Sequence, residues 1–362
     1  MNSRHLQFAA LFAAATVLAA ACSSSEAAET TTTTTVAETT TTTTVAETTT
    51  TAAPDTTTTS EAGPGISEAI NGLPAEDEAV DRRVVSVKID NHPKARPQSA
   101  LQSADAVYEI LVEGGITRFI AMFHQTDLDW VGPNRSGRPT DATLIAAFEG
   151  GPFQISGAQS WVKSLYNKAD INFIQDTGVT TYRVSGRSAP HNLFTSTDRI
   201  RQWADDKGWP DINPGNFFAY GEPTPSTERA TRIEVPFSDA PTPTWAWDGS
   251  EYLRFHGTTP HDWVNLEGGT DQVAFDTLVV MRMDKYTVRD PTGRGSSLPS
   301  VHTVGKGEAA VFYNGMVVEG TWERGSEVDK FSLSTPDGVE IVLPPGRVWI
   351  SLQPDNEDLT WE

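Results

Sequence analysis

Cysteine is nearly missing from this 362-residue chain: Cys22 stands alone. A single thiol excludes an intramolecular disulfide and any metal site built on several cysteines. Cationic side chains are scarce as well, with 27 Lys and Arg against 48 Asp and Glu and a formal charge of −21. Residues 23–81 contain eleven acidic residues and no Lys or Arg. With these and Arg4 set aside, residues 82–362 still carry −11. A domain this acidic lacks the broad basic footprint that a phosphate backbone requires, so nucleic acid is not an expected partner. The signature spacings of several enzyme classes are also missing. There is no G-x-S-x-G elbow, no H-E-x-x-H and no G-x-x-x-x-G-K, and Ser136 in N-R-S-G-R has no elbow context. His256 and His261 are separated by a Pro-containing turn, which is a poor zinc spacing. Neither a metal nor a cofactor is expected.

Long apolar runs are lacking too. Leu6–Ala21 is too short for a membrane span, and with Arg4 and His5 before it residues 1–21 read as a secretory signal peptide. The small residues Ala19–Ala21 directly before Cys22 point to lipid attachment at Cys22. Two acyl chains at about 0.8 kcal/mol per buried methylene give stable anchoring where one chain does not. The membrane is therefore an expected partner, and the expected location is the outer face of the cytoplasmic membrane. Residues 22–81, dominated by threonine and acidic residues, carry too few large apolar side chains to offset ordering entropy, and read as a disordered tether. A coil of this length spans roughly 40 Å.

From Arg82 onward the pattern is that of an α+β protein. Residues 82–222 read as an N-terminal α/β layered domain with a mixed sheet, and 223–362 as a smaller, mostly antiparallel β domain. Val85, Val87 and Ile89 alternate with Ser86, Lys88 and Asp90, which is strand periodicity. Ala106–Val112 is apolar on both faces except at Glu109, as in a strand buried within a mixed sheet. Helices are predicted over Pro139–Phe148, with Thr140 or Asp141 as cap, and over Ser160–Asn167 and Ser196–Lys207. Beyond Pro223, Asp248-Gly249, Asn314-Gly315 and Asp337-Gly338 each predict a hairpin. The many tryptophans of this half, Trp245 and Trp349 among them, read as core.

Several ordered motifs carry a resemblance. R-P-Q-S at Arg96–Ser99, A-D-A-V-Y-E ending at Glu109 and E-G-G-I-T-R ending at Arg118 are followed by G-P-N-R-S-G-R ending at Arg138 and A-P-H-N-L-F from Ala189. Together with the later N-G-M-V-V-E-G-T-W and P-G-R-V-W-I, this series resembles the YerB-like lipoproteins of bacteria across Arg82–Pro354. The resemblance implies an envelope lipoprotein with two adjacent domains, and no particular reaction.

The candidate site comes from the residues themselves. Asn91, Glu109, Glu113, Arg118, Arg135 and Arg138 all sit where strand-like runs end in polar clusters beside glycines. Planar guanidinium forks match carboxylate or phosphate bidentately, so convergence of Arg118, Arg135 and Arg138 would make an anion pocket. The opposing reading is a structural network in which Glu109 and Glu113 neutralise the arginines. His191 and Asn192, in a predicted loop, form a second pair, read either as a histidine base beside a carboxylate with the amide orienting it or the substrate, or as a hydrogen-bond pair that anchors the loop. Two functional readings follow. In the first, a binding module captures an anionic envelope ligand or a protein partner. In the second, a hydrolase or transferase acts on an envelope polymer with Glu113 or His191 as base.

Overall fold

A computed structural model describes residues 70–74 and 81–362. The predicted signal peptide, Cys22 and nearly all of the predicted tether lie outside the described residues. The tether boundary needs one correction: Ile70 is fully buried, and Asn71 donates to Asp105 Oδ1 at 2.9 Å. These residues belong to the folded unit, which therefore includes residues N-terminal to Arg82.

The fold is α+β, built on an eleven-stranded mixed sheet. Its N-terminal strands are β1 (Val85–Asp90), β2 (Ala106–Leu111), β3 (Thr117–Phe123), β4 (Phe153–Gln154) and β5 (Phe173–Ile174). β3 pairs antiparallel with both β1 and β2, which places Asp90 opposite Arg118 and Ile110 opposite Arg118 on its other side. The sheet does not end with the N-terminal half. Val348–Pro354 inserts between β2 and Thr277–Met283, parallel to both, and the antiparallel strands Gly305–Tyr313 and Met316–Arg324 continue beyond. The late strand thus stitches the two halves of the sequence into one sheet.

Strand alternation sorts the side chains onto two faces. Tyr108, Ile110, Ile120, Met122, Val348 and Ile350 face one core, together with Leu144, Phe148 and Tyr166 of the helical side. Val87, Ile89, Val107, Phe119 and Trp349 face the other, where a six-stranded antiparallel sheet contributes Ile233, Trp245 and Tyr252. β2 is buried on both sides, as its apolar run, interrupted only by Glu109, predicts.

Two helices cover the first face, α1 (Pro139–Ile145) and α2 (Ser160–Lys168), while α3 (Thr197–Asp206) packs Ile200 into the core of the other face. Ser196 caps α3 by accepting from Arg199 N at 3.2 Å. At α1 the cap differs from the prediction. Arg138 is the cap residue, and the Asp141 carboxylate, one turn in, accepts from Arg138 N at 2.7 Å. Asn314 and Gly315 both take positive φ, 52° and 71°, which suits a two-residue hairpin between long twisted strands. Asp248-Gly249 also closes a hairpin, between Pro243–Trp247 and Tyr252–His256. At Asp337-Gly338 only a single bridge, Ser334 to Glu340, spans the turn. Trp245 and Trp349 are core residues, as read from the sequence.

Candidate functional site

β1 leaves the sheet at Asp90, and every other residue of this strand faces the helices. There Lys88 Nζ meets Asp141 Oδ1 at 2.6 Å with both side chains wholly buried, and the Tyr166 hydroxyl donates to Asp141 Oδ2 at 3.1 Å. Burial draws the Lys88 ammonium down to about 8, against the opposing pull of Asp141. The same carboxylate thus holds Lys88, Tyr166 and the first turn of α1, which fixes the loop carrying Arg135 and Arg138 against β1.

Next to this anchor, two of the three arginines converge on one carboxylate. Arg138 Nε donates to Glu113 Oε2 at 2.6 Å, a terminal nitrogen of Arg138 reaches Glu113 Oε1, and Arg118 approaches the same oxygen at 3.3 Å. Both guanidiniums also donate to the Ser136 carbonyl, at 2.8 and 3.2 Å. Gly114 and Gly115, at φ 77° and 72°, turn the chain so that Glu113 can face β3. Burial alone would raise the Glu113 carboxyl, but the bonds and charge of Arg138, with Arg118, pull it down to about 2. A carboxylate so stabilised is a poor proton acceptor near neutral pH.

A pH dependence follows. Because the folded value lies below the ordinary 4.5, Glu113 stabilises the fold above pH 4.5, and that contribution fades as pH falls toward 2. Urea midpoints should therefore drop across this window, and Glu113→Gln should flatten that part of the profile. A profile unchanged by Glu113→Gln would show that the cluster does not hold the carboxylate ionised.

The third arginine faces a different acid. Arg135 Nε lies 3.3 Å from Asp90 Oδ2, and its terminal nitrogens make no hydrogen bond among the described residues. The same Asp90 oxygen is 2.8 Å from His191 Nδ1. His92 stacks on the His191 ring at 4.8 Å between centroids. A quarter of the Arg135 side chain and about a tenth of His191 reach solvent. The two groups are electrostatically joined. Arg118 is drawn down to about 10 by burial and by the charge of Arg138, with a smaller contribution from Arg135, while Glu113 and Asp90 oppose.

Asn91 and Glu109 lie deeper. Asn91 donates to Thr117 Oγ1 at 2.8 Å, and Thr117 donates to Glu109 Oε1 at 2.7 Å. Glu109, fully buried, pairs with Arg254 at 2.6 Å and accepts from Trp349 Nε1 at 3.0 Å. The Arg254 guanidinium lies over Trp349, Phe119 and Trp245, at 4.9, 5.4 and 5.5 Å from their ring centroids. From Arg254 the network runs to His256 and His261, and His261 meets Gln98, which donates back to Asn91.

The structure therefore gathers most of the predicted residues at one end of the sheet, in three adjoining groups. Two assignments change. Asn192 does not orient His191: its Oδ1 accepts from Arg183 at 2.7 Å, and Asp90 holds the histidine instead. Glu113 and His191 also sit in separate ion-pair groups and do not share a hydrogen bond. Sequence reasoning missed Asp90, Arg96, Gln98, Arg254 and His261. Glu109 alone in an apolar strand was the available signal for Arg254, since a buried carboxylate requires a partner.

Fold and site together define a layered α+β protein with a charged, partly open end to its central sheet. Residues 70–210 match the N-terminal domain, and residues 233–350 the C-terminal domain, of the family described as "Protein of unknown function (DUF3048)". The chain belongs to this family of YerB-like proteins. It is similar to "Putative lipoprotein YerB" of Bacillus subtilis (strain 168), with 29% identity over 293 residues, covering 79% of this chain and 86% of that one. The crystal structure of YerB protein from Bacillus subtilis superposes with a TM-score of 0.71 at 26% identity, covering 82% of this chain and 99% of the other.

Proposed function

We propose that this chain is a lipoprotein anchored through Cys22 on the outer face of the cytoplasmic membrane, and that it binds an anionic ligand at Arg135. The observation that supports this reading is the unused capacity of one guanidinium. Arg118 and Arg138 share the single carboxylate of Glu113, whereas Arg135 shares Asp90 with His191; its terminal nitrogens make no hydrogen bond among the described residues, and a quarter of its side chain is exposed. Three guanidiniums against two carboxylates leave a local excess of positive charge in a chain of net −21. Such a patch attracts anions at low ionic strength, and the planar fork orients a carboxylate or phosphate. Arg118, Arg138 and Glu113 act here as the scaffold of the pocket, not as its lining.

The test is calorimetric titration of citrate and of inorganic phosphate at low salt. Wild type should bind at least one of them, and Arg135→Ala should weaken that binding tenfold or more, since a charged hydrogen bond is worth about 1.5–3 kcal/mol. Equal binding by both proteins would refute the reading.

The pairing of His191 with Asp90 favours a second reading, in which the site acts on an envelope polymer with His191 as base. Its test is mass spectrometry of cell-wall polymer incubated with wild type and with His191→Gln. Cleavage products that depend on His191 would support it, and identical product spectra would remove it.

A further inference from the structure

A second set of hydrogen-bond donors lies where two clefts meet at Arg96, Pro241 and His256. The larger cleft encloses about 410 Å³ and continues past Pro97 and Pro260 to Asp262. The smaller, about 70 Å³, runs over Asn91 and Thr117.

The protonation of this junction can be deduced from the bonds beneath it. A guanidinium donates and never accepts. Arg254 lies 3.1 Å from His256 Nε2 and 2.7 Å from His261 Nδ1, so both ring nitrogens must offer lone pairs. His261 then carries its proton on Nε2, which fits the 2.8 Å contact with the Gln98 carbonyl oxygen. Gln98 closes the chain by donating its amide to the Asp90 carbonyl at 3.0 Å and to Asn91 Oδ1 at 3.2 Å. By the same logic His256 is neutral and protonated on Nδ1. That nitrogen has no protein partner among the described residues. Burial and the charges of Arg254 and Arg96 hold His256 far below its ordinary 6.5, which agrees with a permanently neutral ring.

Arg96 is the second donor. Its Nε and one terminal nitrogen are fixed on the Asn91 side chain and carbonyl, at 3.0 and 2.9 Å, leaving the other terminal nitrogen unbonded among the described residues. The head group is therefore locked in place with a spare donor beside His256 at the cleft junction. The exposed Asp262, which also lines the larger cleft, forms no ion pair among the described residues.

We propose that Arg96 and His256 form a carboxylate-binding site that takes an amino acid or the end of a short peptide, with Asp262 receiving the ligand's amine. Two fixed donors without an acceptor between them match a carboxylate, and the prolines along the wall leave few competing backbone donors. A cleft of about 410 Å³ lies within the range of small-ligand sites. This site goes beyond the Arg135 reading and does not depend on it.

The experiment uses the full chain in detergent with ¹⁵N-labelled histidine, followed by NMR while alanyl-alanine is added. His256 should be protonated on Nδ1 in the free protein, and that signal should shift saturably with the dipeptide. Alanyl-alanine amide, which lacks the carboxylate, should bind at least tenfold more weakly. Arg96→Met should lose binding tenfold or more, and Asp262→Ala should lose a smaller factor. A His256 Nδ1 without a proton, a signal unmoved by the dipeptide, or equal binding of the amide would each overturn the proposal. If Arg96→Met fails to fold, the wild-type shift and the comparison with the amide still decide the matter.

Discussion

Glu109→Ala and Arg254→Ala should each destabilise the fold by about 3–5 kcal/mol, the usual cost of stranding one charge of a buried pair. Both side chains are wholly buried, on strands that come from different halves of the sequence. Without Glu109, the Arg254 guanidinium keeps its aromatic enclosure and two neutral histidines, and no other carboxylate among the described residues pairs with it. Without Arg254, Glu109 retains Thr117 and the Trp349 indole as its donors among the described residues. The double replacement Glu109→Leu/Arg254→Met should recover much of the loss, because exchanging a buried pair for apolar side chains of similar volume is often neutral. Urea unfolding of the two single variants and the double variant measures the coupling directly. Additive losses would mean that the pair does not join the two halves energetically.

Asp141→Ala should cost a similar amount, again about 3–5 kcal/mol. The substitution leaves Lys88 sealed without its counter-charge, removes an acceptor from Tyr166, and frees the Arg138 amide at the start of α1. Lys88 also gives this region a pH signature. Its folded value near 8 lies below the ordinary 10.5, so between these limits the unfolded chain binds more protons, and stability should rise with pH. Lys88→Met should remove that rise and tolerate Asp141→Asn better than wild type does. A slope that survives in Lys88→Met would assign it to another group.

What could be read from the sequence depended on whether a residue's role was local. β1 and β2, the three helices and the Asn314-Gly315 hairpin follow from periodicity, caps and turn chemistry within a few residues. The insertion of Val348–Pro354 between Thr277–Met283 and β2 has no such local signal, since pairing partners more than 200 residues apart leave no mark on periodicity. The site divides in the same way. Arg118, Arg135 and Arg138 stood out because arginines beside glycines at strand ends are conspicuous in an acidic chain. Asp90 did not, because an acidic residue ending a strand reads as solvated, yet it holds both His191 and Arg135. Arg254 in Y-L-R-F-H carries no local signal of its partner, and only the fold reveals that it points inward to Glu109. The folded residues before Arg82 were hidden by composition: Ile70 lies in a stretch whose average character is that of the tether.

The central claim is that one guanidinium at the end of β1 remains available to an anion while its two neighbours are held by Glu113. A crystal soaked in citrate tests it most directly. The account predicts density for a carboxylate bridging the terminal nitrogens of Arg135, with the contacts from Arg118 and Arg138 to Glu113 unchanged. Citrate found on Arg118 or Arg138 after displacing Glu113, or an Arg135 left bare at saturating citrate, would contradict it.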